Sequence, residues 1–482
     1  MMFKKLIGIG IIAAVGMVAG ITDPALAQDK GLQETQDKGL RDKGLVDRDP
    51  LRYSDEVKGM KEVIERPKPL VEWGQGYLKP GPYCCEFELP TGMVISPNLL
   101  IFGNFRTGPQ AIDNGVDPSS IEWVNTFDVF ANLRLTGTER ILFGMSPLTK
   151  KSGSKTRYVF QPDDTLDTEF NARLTTAFFE GELSEMFPKL DWFGTKPHDW
   201  EIAVGRQPVF IHDGLLIQDT MDSIAITRST VPLPGTQFAR IGGIFGWDGV
   251  NRSNNKEDTE AYLLGLFSAM DVGHHTLDFD MVYVDSDQDQ GDQFNIALGA
   301  TQRIILFNTH FDTTFRIAGS LETDNETKIA DDGALLFSSI AFAPPTTDPW
   351  DNIAYVNLFL AIDSYKVASR KSGGPLGLTG LLFAGNGLAS FTPISNQATE
   401  SYGGAIGYQM FFSPTQRTNL IMEIGGRKDD SPTGFNAYGI GAKISQAIGQ
   451  HTFVSLDVFG IKQEGKKRDT RHGLRSELNI IF

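Results

Sequence analysis

Three segments of this chain alternate apolar residues with mostly polar or charged ones. Phe127, Val129, Ala131, Leu133 and Leu135 alternate with Asp128, Asn132 and Arg134; Leu277, Phe279, Met281 and Tyr283 alternate with Asp278 and Asp280; Val454, Leu456 and Val458 alternate with Ser455 and Asp457. A helix with this pattern would scatter its charges round the whole surface, whereas a strand sends one set to each face. Beyond the first 21 residues no stretch approaches the roughly 20 continuous apolar residues that a membrane-spanning helix needs. The chain is therefore either soluble or spans a membrane as strands.

The opening residues favour export. Lys4 and Lys5 precede an apolar run from Leu6 to Ile21 and then Ala25-Leu26-Ala27, the three-part layout of a secretory signal peptide, with cleavage expected after Ala27. A retained N-terminal anchor is the competing reading of that run. The mean hydropathy of -0.18 does not separate a soluble protein from a barrel with a wet interior, because both average to the same value. Glycine (51) and phenylalanine (33) are abundant in the 482 residues, as suits twisted strands with an apolar outer face. The formal charge of -16 argues against nucleic acid as a partner.

From about Met93 the chain falls into segments of roughly ten residues separated by turn clusters. Read back from the C-terminus, strands are expected at 471-482, 450-462, 434-446, 416-427, 400-412, 352-362, 333-343, 308-321, 292-304, 274-285, 258-269, 237-247, 215-228, 199-207, 168-181, 139-148, 122-136 and 93-106. Tight connectors such as Gly137-Thr138, Ser413-Pro414-Thr415 and Ala447-Ile448-Gly449 alternate with long ones such as 248-257, 322-332 and 363-399. Short periplasmic turns and long extracellular loops produce this rhythm. The expected fold is all-β: a transmembrane antiparallel up-and-down barrel of about 18 strands, or 16 if two weak segments merge. Segment 181-199 is long for a periplasmic turn and is where the count is least constrained.

The expected organisation is a signal peptide at 1-27, a periplasmic segment at 28-92 and a barrel at 93-482. The second part opens with the repeat Gln28-Leu32, Gln36-Leu40 and Arg41-Leu45, polar and poor in core residues, followed by a short helix expected from Ser54 to Glu65. The two cysteines are neighbours, Cys84 and Cys85, and provide no disulfide scaffold.

The chain ends Leu478-Asn-Ile480-Ile-Phe482. A terminal Phe with apolar residues at every second position before it resembles the closing-strand signal of outer-membrane barrels, which implies barrel-insertion machinery as a partner, with outer-membrane lipid and lipopolysaccharide around the folded product. Gly205-Arg206-Gln207 followed by His212-Asp213-Gly214-Leu215 resembles the strand and glycine-rich loop of porin-type proteins that include the alginate-export family. That resemblance implies a single-chain barrel and, for alginate export, a strongly basic lumen. Here the residues expected to face the lumen mix signs: Arg134, Arg173, Arg316, Arg417, Lys443 and Arg475 beside Asp278, Asp280, Asp312, Glu423, Asp457 and Glu477.

Two segments are expected to fold inward and narrow the lumen, 206-222 and 363-399, with Arg206, Asp213, Asp219 and Asp222 as constriction residues selecting solutes by field and size. The alternative for each is that it braces strand ends. Passive diffusion of small hydrophilic solutes or oligosaccharides is the expected function, with a polysaccharide exporter or a non-transporting surface barrel as rivals. The mixed charges leave ion preference open, with the acidic total tilting towards cations. An enzyme is not expected: the seven histidines fall in no catalytic pattern, and there is no Gly-x-Ser-x-Gly, His-Glu-x-x-His or phosphate-binding loop. No cofactor or metal is expected, since His274-His275 falls in a turn and the acidic runs 285-292 and 324-332 lack the spacing of a calcium loop. A homo-oligomer is left open.

Overall fold

The computed structural model describes residues 67-74, 86-190, 199-286, 290-306, 309-323, 329-344, 352-412, 416-432, 434-464 and 470-482. These belong to one compact unit, Arg66–Phe482. The expected signal peptide, the QDKGL repeat, the helix expected at 54-65 and Cys84-Cys85 lie outside the described residues.

Eighteen antiparallel strands close on themselves. In chain order they are β1 (Asn98–Asp113), β2 (Ser120–Arg134), β3 (Arg140–Met145 and Thr156–Gln161), β4 (Thr165–Asp167 and Leu174–Glu182), β5 (Glu201–Ile211), β6 (Ile217–Arg228), β7 (Phe238–Asp248), β8 (Tyr262–Val272) and β9 (His275–Asp285). The circuit continues through β10 (Gln293–Leu306), β11 (Thr309–Glu322), β12 (Gly333–Phe342), β13 (Ile353–Ser364), β14 (Thr399–Phe411), β15 (Thr418–Asp429), β16 (Asn436–Ile448), β17 (Thr452–Glu464) and β18 (Arg471–Ile481). Each pairs with its neighbour in sequence, and β18 returns to β1 from Ile481 opposite Asn104 to His472 opposite Asp113, so the sheet has no free edge. Phe482 extends the seam by exchanging backbone hydrogen bonds with Gly103.

The 18 expected strands are all present, with two differences. β3 and β4 are each interrupted: the two halves of β3 pair with successive parts of β2, and an excursion at 146-155 separates them. The barrel also starts at Asn98, not Met93. Val94–Ile95 pairs instead with Phe87–Glu88, and Pro97, which has no N–H for a ladder, stands just before β1. Val71–Trp73 pairs with Leu99–Ile101 at the start of β1. The uncertain connection after β4 holds the short helix Leu183–Met186 and a turn at Pro188–Leu190.

Alternation along the strands separates two faces. Ile224, Ile226, Phe245, Leu264, Leu266, Leu358, Leu360, Ile406, Ile424, Ile440, Leu456 and Val458 all point outward and are exposed. At the end carrying the long loops, Trp123, Trp247, Tyr262, Tyr283, Tyr402 and Tyr438 form an exposed aromatic girdle on the same face. An apolar band bounded by aromatics matches a surface standing in hydrocarbon with its rim at an interface. Among the described residues no helix is long and apolar enough to cross a membrane.

Candidate functional site: a narrowed lumen

The hairpin of β5 and β6 does not stay in the wall. β5 pairs with β4 only from Glu201 to Arg206, and β6 pairs with β7 only from Asp222 to Arg228, although the two strands pair with each other along their whole length. The upper part, 207-221, is thus released from both neighbours. The departure is built into the backbone at Gly205, whose φ is +122, and at the irregularity between Asp222 and Ser223. A side chain at 205 would place its Cβ 2.3 Å from the Ala177 carbonyl, so only glycine permits this bend against β4.

Released from the wall, the hairpin turns one face inward onto the barrel's inner surface. Val209, Leu215, Leu216, Ile217 and Met221 are buried with Leu263, Val282, Val284 and Leu335. The same core takes in Tyr365, Val367, Ala368, Leu376, Leu382 and Phe383 from the 34-residue connection between β13 and β14, residues 365-398. That connection runs beside the hairpin, with Ser369–Arg370 pairing in parallel with Ile217–Gln218. It is then tied across the interior by side chains of distant strands. Glu423 on β15, 2% exposed, accepts the Leu381 and Leu382 N–H groups at 2.8 Å each and the Tyr355 hydroxyl. Arg475 on β18 donates to the Asn386 and Phe391 carbonyls at 2.8 and 2.9 Å while paired with Asp457 at 2.7 Å. Lys155, from the excursion in β3, donates to the Leu388 carbonyl, and Arg427 to the Gln397 carbonyl.

The expected constriction residues separate into two kinds. Arg206 and Asp222 form a bidentate pair at 2.7 and 2.9 Å at the point where the hairpin leaves the wall, and Arg206 also reaches Asp248 at 2.9 Å. Their face of the hairpin, with Pro208, Phe210 and Gln218, is the one left open. Asp219 lies on the opposite, buried face. Its oxygens accept from Ser369 Oγ at 2.5 Å and from the Asn251 N–H and Nδ2 at 2.8 Å, so it braces the hairpin against two loops and does not line the passage. Asp213, at the hairpin tip, meets Arg316 of β11 at 2.8 Å.

Alternation puts Arg134, Asp278, Asp280, Asp312, Arg316, Glu423, Lys443, Asp457, Arg475 and Glu477 on inner faces. Most are consumed by partners: Glu477 by Arg106 at 2.7 Å, Asp312 by Arg303 at 2.7 Å, Asp278 by Arg316 at 2.5 Å, and Asp457 by Arg475. Arg173 is not in a strand but in the interruption of β4, and Arg417 sits in the turn before β15. Lys371, in the inward connection, has its amine held below the usual lysine range by desolvation, with Asp219 and Glu257 acting against that shift and Arg173 and Arg206 adding to it. Neither Lys371 nor Arg173 has an acidic oxygen within 4 Å among the described residues, and the same holds for Lys155. Lys155 and Lys371 carried no signal in the sequence, since both sit in polar loop segments whose inward path depends on the fold.

No protein-family model and no curated protein matches the sequence. Solved structures do resemble the fold. OccAB3 of Acinetobacter baumannii superposes with a TM-score of 0.56 at 10% identity, covering 80% of this chain and 99% of that one. A BenF-like porin from Pseudomonas fluorescens Pf-5 gives 0.54 at 10% identity, covering 80% and 98%. OccK5 (OpdH) of Pseudomonas aeruginosa gives 0.53 at 8% identity, covering 80% and 98%. The chain has the closed 18-stranded antiparallel barrel fold of these proteins.

Proposed function

We propose that this protein is an outer-membrane channel through which small hydrophilic solutes diffuse passively. The observation that carries the reading is a closed barrel, apolar outside, whose lumen is narrowed but lined by charge. The hairpin tip and the 365-398 connection fill the side of the lumen under β6 to β18 with a packed core. In this reading the passage runs along the inner surface of β1 to β4, which stays polar with Arg106, Asp128, Lys155 and Arg173 and which, among the described residues, the connection reaches only near Gln110 and Lys155. A core of this kind is rigid enough to set a size limit, and fixed side chains facing water select by field.

The balance of unpaired charge points to anions. Carboxylates of the lumen are mostly held by guanidinium groups, whereas Lys155, Arg173 and Lys371 have no acidic oxygen within 4 Å among the described residues, the nearest opposing charges being Asp128 and Glu477 for Lys155 and Asp219 and Glu257 for Lys371. Local charge, not the formal total of -16, sets the field a solute meets at the narrowest point. This reverses the cation tilt drawn from composition. A polysaccharide exporter of the alginate-export type would need a long unpaired basic track; here Arg206, Arg316 and Arg475 are spent on carboxylates, which supports the small-solute reading. The same reading assigns Leu478, Ile480 and Phe482 to recognition by insertion machinery, the outer belt to lipid and lipopolysaccharide, and residues 1-27 to export.

The test is single-channel conductance of the purified mature protein in a planar bilayer, with the reversal potential under a potassium chloride gradient. Discrete steps with a reversal potential of anionic sign are expected. A folded, heat-modifiable barrel that never conducts would overturn the reading.

A further inference from the structure

Under the inward hairpin lies a recess unlike the basic passage. It is a cavity of about 450 Å³, within the range of small-molecule sites, between the hairpin tip and the lower inner faces of β7, β8, β9 and β11. Its floor follows from strand register. Arg240 stands opposite Ala269, Ala269 opposite Asp278, Asp278 opposite Gly299 and Gly299 opposite Arg316, so five strands contribute one row. Two members of that row are too small to fill it. At Gly299 a Cβ would fall 1.9 Å from Arg316 Nη1, so the glycine is what lets Arg316 reach across a strand to Asp278.

The charge around Arg316 does not balance. This one guanidinium, nearly buried, is held by two carboxylates, Asp278 at 2.5 Å and Asp213 at 2.8 Å, and the Asp213 side chain remains 46% exposed. The neighbouring Asp280 is satisfied separately, accepting from His212 Nδ1 at 2.9 Å. A carboxylate only accepts, so that nitrogen carries the hydrogen and, in the neutral ring, leaves Nε2 as an acceptor. His212 lines the cavity, and its Nε2 is buried without a partner. Beside this acidic corner the Phe210 ring, 56% exposed, and Phe267 supply an apolar wall. Arg240 lies two strands from Asp278 in the row, roughly 10 Å at the backbone, which leaves the acidic corner free of its repulsion at contact range.

From this arrangement we infer that the recess is a binding site for an organic ammonium ion with a flat apolar body. The ammonium sits at the Asp213–Asp278 corner, where two carboxylates share one guanidinium, and its N–H groups offer donors in a cavity bordered by the unpartnered His212 Nε2. The body lies against Phe210, whose ring face attracts a cation at close range. The site is distinct in sign from the passage along β1 to β4. It rests on the channel reading only in that a ligand must have access to the lumen.

The experiment is isothermal titration calorimetry of the folded full-length mature barrel in detergent with 2-phenylethylammonium chloride, and separately with sodium phenylacetate, which has a similar body and the opposite charge. Saturable binding of the ammonium is expected, at least tenfold tighter than any binding of phenylacetate. Asp278→Asn should weaken it at least tenfold, and Phe210→Leu, which keeps apolar volume but removes the ring face, several-fold. Equal binding of the two probes, no saturable heat, or unchanged affinity in Phe210→Leu overturns the inference. Phe210 is 56% exposed and leucine keeps its apolar contact with the hairpin tip, so that variant decides the matter even where Asp278→Asn does not fold. Calorimetry needs no conduction: a barrel that binds but never conducts refutes the channel reading alone, and one that conducts but does not bind refutes this inference alone.

Discussion

Replacing Arg475 offers a sharp test of how the inward connection is held. Its guanidinium, 3% exposed, makes three hydrogen bonds to Asp457 at 2.7 to 2.9 Å, two to the carbonyls of Asn386 and Phe391, and lies 5.0 Å from the centre of the Phe459 ring. Arg475→Met keeps much of the volume and leaves Asp457 as an uncompensated charge in a dry setting. Breaking a buried pair from one side costs about 3–5 kcal/mol. Removing both charges, in Arg475→Met with Asp457→Leu, takes away that penalty and leaves chiefly the two lost loop contacts, about 1 kcal/mol each. The double variant should therefore be more stable than the single one by roughly 2 kcal/mol, an order set by the same buried-pair asymmetry. Reversible urea unfolding in phospholipid vesicles, followed by tryptophan fluorescence, measures the difference. A double variant no more stable than the single would show that Arg475 acts through packing and loop anchoring alone. Both variants should also give noisier single-channel currents, because both free the 386-391 stretch from the wall.

Other outcomes follow from the same geometry. Lys371→Gln should move the reversal potential towards cations, and in the wild type anion preference should decline with rising pH below the range of an ordinary lysine, because burial lowers the pH at which Lys371 loses its charge. Replacing 372-397 by a short glycine–serine linker should raise unit conductance several-fold; an unchanged value would mean that the connection does not narrow the passage. Ile424→Arg on the outer belt, at a position 67% exposed, should destabilise the barrel in vesicles by about 2–4 kcal/mol, the cost of a cation near the bilayer midplane. A loss below about 0.5 kcal/mol would place Ile424 at the interface or off the lipid face.

The fold was legible in the sequence because a barrel strand writes itself locally. Side chains alternate with a period of two, so Phe127 to Leu135 and Leu277 to Tyr283 disclose both faces without knowledge of any neighbour. The alternation of tight and long connectors then orders the strands, and all 18 could be placed. The interruptions in β3 and β4 were not legible: an excursion such as 146-155 has the composition of an ordinary loop, and only pairing with β2 shows that 156-161 resumes the same strand. That 206-222 and 363-399 were candidates for inward folding was visible from length and from the glycine-rich turn. Which side chains would then face the passage was not.

That last assignment depends on tertiary structure for a physical reason. Within the hairpin, Asp219 and Asp222 differ by three positions and therefore lie on opposite faces, and nothing local says which face meets the barrel's inner surface. The bend at Gly205 decides it, leaving Arg206 and Asp222 open and sealing Asp219 against Ser369 and Asn251. The same holds for charge. Sequence alone determined that the lumen would carry both signs; only the closed sheet, which brings Arg316 to Asp278 across Gly299 and Arg475 to the loop carbonyls, decided which charges cancel and which remain to meet a solute.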